Sequence, residues 1–236
     1  MAKMVGLNLV IKLGWLKKAV SLLQDNLSEE EYRKELDEHL AFEIDSPTNR
    51  RKAREIMMRV WYQDSVGVEK FQQRGRELIR KYPDQLTAIC WCMIPLAYPV
   101  FADYAQLMGK MFEFQDVITT NQIKQKMFDQ LGERNLLEYA TTKVISTMRE
   151  LYAIRSIQTG KHEAVKKNIS DEEIITFMIE VAMHIDGSSY YAFSSLSNFP
   201  FLFPFEYRVA KEHLMQDDHF TLSTFDSTLS VALKFG

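Results

Sequence analysis

The side chains of this chain that could do chemistry are cations and hydroxyls. Thr142, Lys143, Ser146 and Arg149 recur within one stretch at helical spacing, and a ribbon behind them carries Lys161 and His162 at its turn and Lys166 and Lys167 on its return strand. At the 3.6-residue period Ala140, Val144, Met148 and Leu151 fall within about 80° of arc and make the packing face. Thr142, Lys143, Ser146, Arg149 and Glu150 lie outside it. Hydroxyls and a guanidinium on the solvent side of a helix can meet phosphates and base edges in the major groove, and lysines on an adjacent ribbon can grip neighbouring phosphates. A further basic group, Arg50, Arg51, Lys52 and Arg54, either extends that footprint or pairs with the acidic block preceding it; pairing is the favoured reading.

Catalytic patterns do not emerge. The sequence contains no G-x-x-x-x-G-K-[ST], G-x-G-x-x-G or G-x-S-x-G stretch, so neither a phosphate-cradling loop nor a nucleophile elbow is predicted. Cys90 and Cys92 lack a second cysteine pair, and His39, His162, His184, His213 and His219 are too scattered for a zinc site. His213 and His219 with Asp217 and Asp218 fit no standard ligand spacing and read as a surface helix end. A metal-assisted nuclease needs clustered carboxylates with a lysine, and Pro83-Asp84 is not followed by Glu-x-Lys. The expectation is no enzyme, no metal and no cofactor. Two cysteines two residues apart frame no disulfide scaffold, and a reducing cytoplasm follows as the expected setting.

The elements that must hold these residues are mostly helices. In 236 residues, 46% hydrophobic and 26% charged, there are only nine Gly and six Pro, which argues against a turn-rich β fold and against disorder. Leu13, Leu16, Ala19/Val20 and Leu23 form a helical stripe within 10–23. Ser28 with Glu31 is a capping box, and Ser46-Pro47 starts the next helix. Helices are expected over 68–82, through the apolar 86–93 segment, and over 101–114 after a bend framed by Pro95 and Pro99. Thr119 with Gln122 caps a short helix closed by Gly132. The turn Glu133–Asn135 leads to a second helix over 139–153, and a hairpin follows around Gly160. Ser170 with Glu173 would cap a helix lined by Ile174, Phe177, Met178, Val181 and Ile185. A connector rich in serine and aromatics, a helix near 205–216 and a terminal hairpin turning at Asp226-Ser227 complete the chain. The aromatic run Phe199, Phe201, Phe203, Phe205 and Tyr207 reads as packing, since no cations interleave it for base stacking.

The predicted fold is therefore mainly α: a helical bundle over 1–115, a winged helix-turn-helix over 116–169, and a C-terminal helical module over 170–236 that ends in a β-hairpin and could be a second winged helix. Twenty-nine Lys and Arg stand against 32 Asp and Glu, but the charge is segregated. Residues 142–168 carry six cations and two acids, whereas 25–45 carry nine acids and two cations and 169–236 ten and three. A local basic field can attract a polyanion although the whole chain is slightly acidic. The N-terminus, interrupted by Lys12, Lys17 and Lys18, does not read as a secretory signal. The uncharged stretches 85–102 and 187–205 each contain two prolines, so no membrane crossing is expected.

Three stretches carry a family resemblance. They are Leu40 to Trp61, with Thr48, Arg51, Arg54, Ile56 and Arg59; Ala88-Ile89-Cys90-Trp91-Cys92 through Tyr98-Pro99 to Asp103-Tyr104; and Thr142-Lys143 through Met148-Arg149-Glu150. Together these resemble the BrxA family, the small accessory proteins of BREX bacteriophage-exclusion systems, over roughly residues 20–170. The resemblance implies a helical, non-enzymatic component of bacterial phage defence that associates with double-stranded DNA and works beside other BREX proteins. Thr142, Lys143 and Arg149 are the positions to which that role carries over. The expectation is thus a DNA-binding accessory protein. Its rival is an adaptor that docks larger defence proteins through the acidic tail and aromatic connector.

Overall fold

The computed structural model describes residues 6–23, 27–62, 67–133, 135–225 and 228–234; the Asp226-Ser227 turn and Arg134 of the expected inter-helix turn lie outside them. Helices dominate. Helix α1 spans Leu13–Leu22, starting three residues later than the apolar stripe predicts. Helix α2 (Glu29–Ala41) begins at the expected capping box, in which the Ser28 side chain accepts from the Glu31 amide and Glu31 accepts from the Ser28 amide. Helix α3 (Pro47–Trp61) starts on Pro47 with Ser46 as its cap, and α4 covers Glu69–Lys81.

Helix α5 (Leu86–Ala97) passes through Pro95 without ending. The bend falls instead at Tyr98, kept out of the helical region as a residue before proline is, and Pro99 opens α6 (Pro99–Phe112). Every residue of α5 from Ala88 to Pro95 is buried, so the uncharged segment is the centre of the protein. No helix among the described residues is long and apolar enough to cross a membrane.

Strand β1 (Val117–Thr119) leads into α7 (Thr120–Leu131) through the Thr119–Gln122 capping box, and α7 ends at Gly132, whose φ of 80° is easy only for glycine. Helix α8 (Asn135–Glu150) follows, then the hairpin β2 (Ile154–Gln158) and β3 (Lys161–Ala164) around Gly160. The three strands form an antiparallel sheet in the order β1–β3–β2, with Ile118 opposite His162 and Ser156 opposite His162 on the other side.

Strand β3 stops at Ala164. Lys167 and Asn168 form a separate short strand, β4, which pairs in parallel with β6 (Phe205–Glu206). Helix α9 (Glu172–Asp186) is buried at every position from Ile174 to Met183, as a helix enclosed on all sides must be. Its cap is Asp171 rather than Ser170, and the Asp171 side chain makes no capping bond; it accepts instead from Gln85 Nε2 at 2.7 Å. After β5 (Tyr191–Ala192) and two 3₁₀ turns, only Lys211–Gln216 (α10) of the expected 205–216 helix is helical, since the β4–β6 pairing takes its start. The terminal hairpin β7 (Phe220–Phe225) and β8 (Thr228–Leu233) forms as expected, with β8 central in a β5–β8–β7 sheet.

One continuous cluster of buried apolar side chains runs from Leu7 to Val231. Its hub is Trp91 on α5, fully buried, which donates its indole N–H to the Phe201 carbonyl at 3.1 Å and is ringed by Phe101, Phe201, Phe203 and Phe205. The aromatic run is thus packing. Burial also pushes the Cys90 and Cys92 thiols up, away from the reactive thiolate.

Candidate nucleic-acid interface

Helix α8 is held rigidly from behind. Leu137, Ala140, Val144 and Met148 are fully buried, and two threonines on the same side are satisfied internally. Thr141 bonds the Leu137 carbonyl and the Tyr104 hydroxyl, both at 2.7 Å, and Thr147 Oγ1 accepts from the Ile11 amide at 3.0 Å. The opposite face points outward. Thr142 and Arg149 are exposed and Lys143 and Ser146 half-buried, as the helical wheel predicts. Arg149 donates to Ser146 Oγ at 2.9 Å, and neither Lys143 nor Arg149 enters an ion pair among the described residues.

The hairpin stands beside this face because α7 anchors it. The Thr120 amide donates to the Gly160 carbonyl at 2.9 Å. Lys161 is exposed at the start of β3. His162 is not at the tip: it is 4% exposed, with Nε2 2.9 Å from Thr120 Oγ1 and Nδ1 3.1 Å from Ser156 Oγ. The alternation of a strand turns position 162 inward when 161 faces out. Burial, helped by the nearby Arg149 charge, lowers the His162 pKa and favours the neutral ring. His162 therefore joins α7, β2 and β3 and is not available to a phosphate.

Lys166 and Lys167 are likewise not on the return strand. Lys166 Nζ donates to the Phe203 carbonyl at 2.5 Å and Lys167 Nζ to the Asp84 carbonyl at 3.0 Å. The third basic group divides. Arg50 pairs with Asp37 at 3.3 Å, and Arg54 with Asp37 at 3.0 Å and Glu55 at 3.3 Å, so pairing with the acidic block prevails for both. Arg51 is exposed with no ion pair among the described residues. Helix α3 packs on α1, α2 and α5, whereas α8 packs on α6, α7 and β2, so the two basic groups belong to different helix layers.

Sequence reasoning missed the exposed aliphatic and aromatic residues of the same region: Leu136, Tyr139, Tyr152 and Ile157. The wheel could have found Tyr139, which lies off the packing face. It also missed a charged clasp elsewhere. Arg74 on α4 reaches Glu180 of α9 and Asp217, each at 2.6 Å, and Thr176 at 2.9 Å. Burial alone would raise the Asp217 carboxyl, but Arg74 and the two His219 donors outweigh it and hold the group at about 2. Lys81 pairs with Glu173 on the same side. Three acids of the C-terminal segment, Glu173, Glu180 and Asp217, thus pair with α4. No group of metal-ligating side chains is assembled among the described residues.

Comparisons of the chain with protein-family models, curated proteins and solved structures found no match.

Proposed function

We propose that this chain is a non-catalytic protein that binds duplex DNA, that residues 116–164 act as a winged helix-turn-helix with α8 in the major groove, and that it serves as an accessory component of a bacterial phage-defence system alongside other BREX proteins, as its resemblance to the BrxA family implies. The observation that carries the reading is the outward face of α8. Thr142, Lys143, Ser146 and Arg149 lie there and Lys161 is exposed on the hairpin that follows, the three cations free of ion pairs among the described residues, while Glu173, Glu180 and Asp217 are engaged by α4. The strand–helix–helix–hairpin order with β3 central supports it, because this order sets a second helix and a ribbon side by side. The footprint is smaller than the sequence predicts: His162 is structural, Lys166, Lys167, Arg50 and Arg54 are tethered, and Arg51 lies in another helix layer.

The test is duplex binding by purified protein, read by gel shift across DNA lengths and salt concentrations. Three available cations predict a log–log salt slope near about −3, from about 0.9 per neutralised phosphate. Lys143→Ala, Arg149→Ala and Lys161→Ala should each reduce that slope by about 1 and weaken all sequences alike. Absence of duplex binding, or retention on DNA only with defence proteins added, replaces this reading with the adaptor.

A further inference from the structure

Helix α8 ends in a complete left-handed C-terminal cap. The Ala153 amide donates to the Met148 carbonyl at 2.9 Å and the Tyr152 amide to the Arg149 carbonyl at 2.9 Å, the paired bonds of a Schellman motif. The residue that must take positive φ there is Tyr152, at 55°, the one non-glycine residue so placed among those described. Glycine is the ordinary occupant, because a Cβ in this region crowds the following carbonyl. Gly132, Gly160 and Gly187 meet the same demand elsewhere in the chain.

Packing does not explain the tyrosine. Leu151 and Ala153 on either side are buried, yet Tyr152 is 70% exposed, and its side chain makes no hydrogen bond, ring contact or cation contact among the described residues. A bulky side chain thus occupies a backbone position that resists it, stands mostly in solvent and returns no hydrogen bond, ring contact or cation contact among the described residues. Its surroundings are the proposed DNA face: Arg149 is one turn back on α8, and β2 begins two residues on. Strained backbone residues cluster at ligand-binding sites, so an outlier whose side chain the packing does not explain points to a ligand.

We infer that Tyr152 is a contact residue of the α8–hairpin face, donating its phenolic O–H to a phosphate oxygen of bound duplex DNA, an inference that rests on the DNA-binding reading above. Tyrosine hydroxyls are among the groups that fix a protein on the sugar–phosphate backbone without reading sequence. Nothing else in the chain competes for this donor among the described residues.

The experiment sets stability and binding against each other. Tyr152→Gly relieves the backbone and should raise the melting temperature by about 2–4 °C. The same substitution should weaken duplex binding by about tenfold, the value of one hydrogen bond to a charged group. Tyr152→Phe keeps the ring and the strain, and should lose nearly as much affinity with no gain in melting temperature. Neither should change the salt slope, because no charge is removed, whereas Arg149→Ala should. Unchanged affinity in the thermally stabilised glycine variant, with Arg149→Ala still defective, overturns the role of Tyr152 and leaves the DNA reading intact. Full affinity in the phenylalanine variant with loss in the glycine variant overturns the hydrogen bond. No duplex binding by the unaltered protein overturns both.

Discussion

At Gly109 on α6 a Cβ would stand 1.9 Å from the carbonyl oxygen of Pro200, a backbone atom that cannot swing aside. Alanine normally improves a helix interior by about 1 kcal/mol over glycine. Here Gly109→Ala should instead cost about 3 kcal/mol or more, measured by urea unfolding, because α6 must move off the 200–202 turn. His162 makes a second prediction. Its folded pKa lies below the ordinary 6.5, so the stability it contributes is complete above 6.5 and is lost as pH falls toward the folded value. The unfolding free energy should therefore decline through mildly acidic pH, and His162→Gln should flatten part of that decline. An unaltered pH profile in the variant would show that the ring takes up its proton as readily folded as unfolded. Neither position is legible in the sequence: Gly109 is one glycine in an apolar helix, and the spacing places His162 at a basic tip. Which side of a strand a residue faces depends on register, and register was set by pairing with β1.

Among elements, the junction of α4 with α9 and Asp217 is the most demanding. Glu180 is 1% exposed and its carboxylate is neutralised by Arg74. Removing Arg74 strands the buried charges of Glu180 and Asp217, so Arg74→Ala should cost about 3–5 kcal/mol, whereas replacing Arg74, Glu180 and Asp217 together by apolar residues should cost much less. Equal losses in the single and triple variants would remove the argument. Asp217 adds an acid-side signature. Held at about 2 against an ordinary 3.8, it contributes stability that is present above pH 3.8 and lost as pH falls through about 2; Asp217→Asn should not show that acid loss. The elements themselves were largely visible, since their ends are written in local chemistry: Ser28 with Glu31, Ser46 before Pro47, Thr119 with Gln122, Gly132 and Gly160. The extent of α10 was not, because residues 205–206 satisfy their backbone with β4, some 38 positions earlier.

For the whole molecule, the continuity of the buried cluster has a direct consequence. The three sequence segments, 1–115, 116–169 and 170–236, all contribute to it, and Phe201, Phe203 and Phe205 close over Trp91. A chain ending at Ile169 would uncover Trp91, Phe101 and the α5 face that α9 covers, an apolar area far larger than a monomer tolerates. It should be recovered aggregated or bind a hydrophobic dye strongly. A soluble, cooperatively melting 1–169 fragment would show that the C-terminal segment is dispensable to the core. The same closure bears on charge. Glu173, Glu180 and Asp217 are drawn to Arg74 and Lys81, and Lys143, Arg149 and Lys161 enter no ion pair among the described residues.

Local chemistry written into the chain determined its helical character, most of its caps and turns, the two hairpins and the outward face of α8, because each depends on residues within a turn or two of one another. The tertiary structure alone decided which lysines of the hairpin region are tethered. Lys166 and Lys167 meet backbone carbonyls 37 and 83 positions away, and a flexible ammonium group bonds whichever oxygen the packed backbone brings within reach.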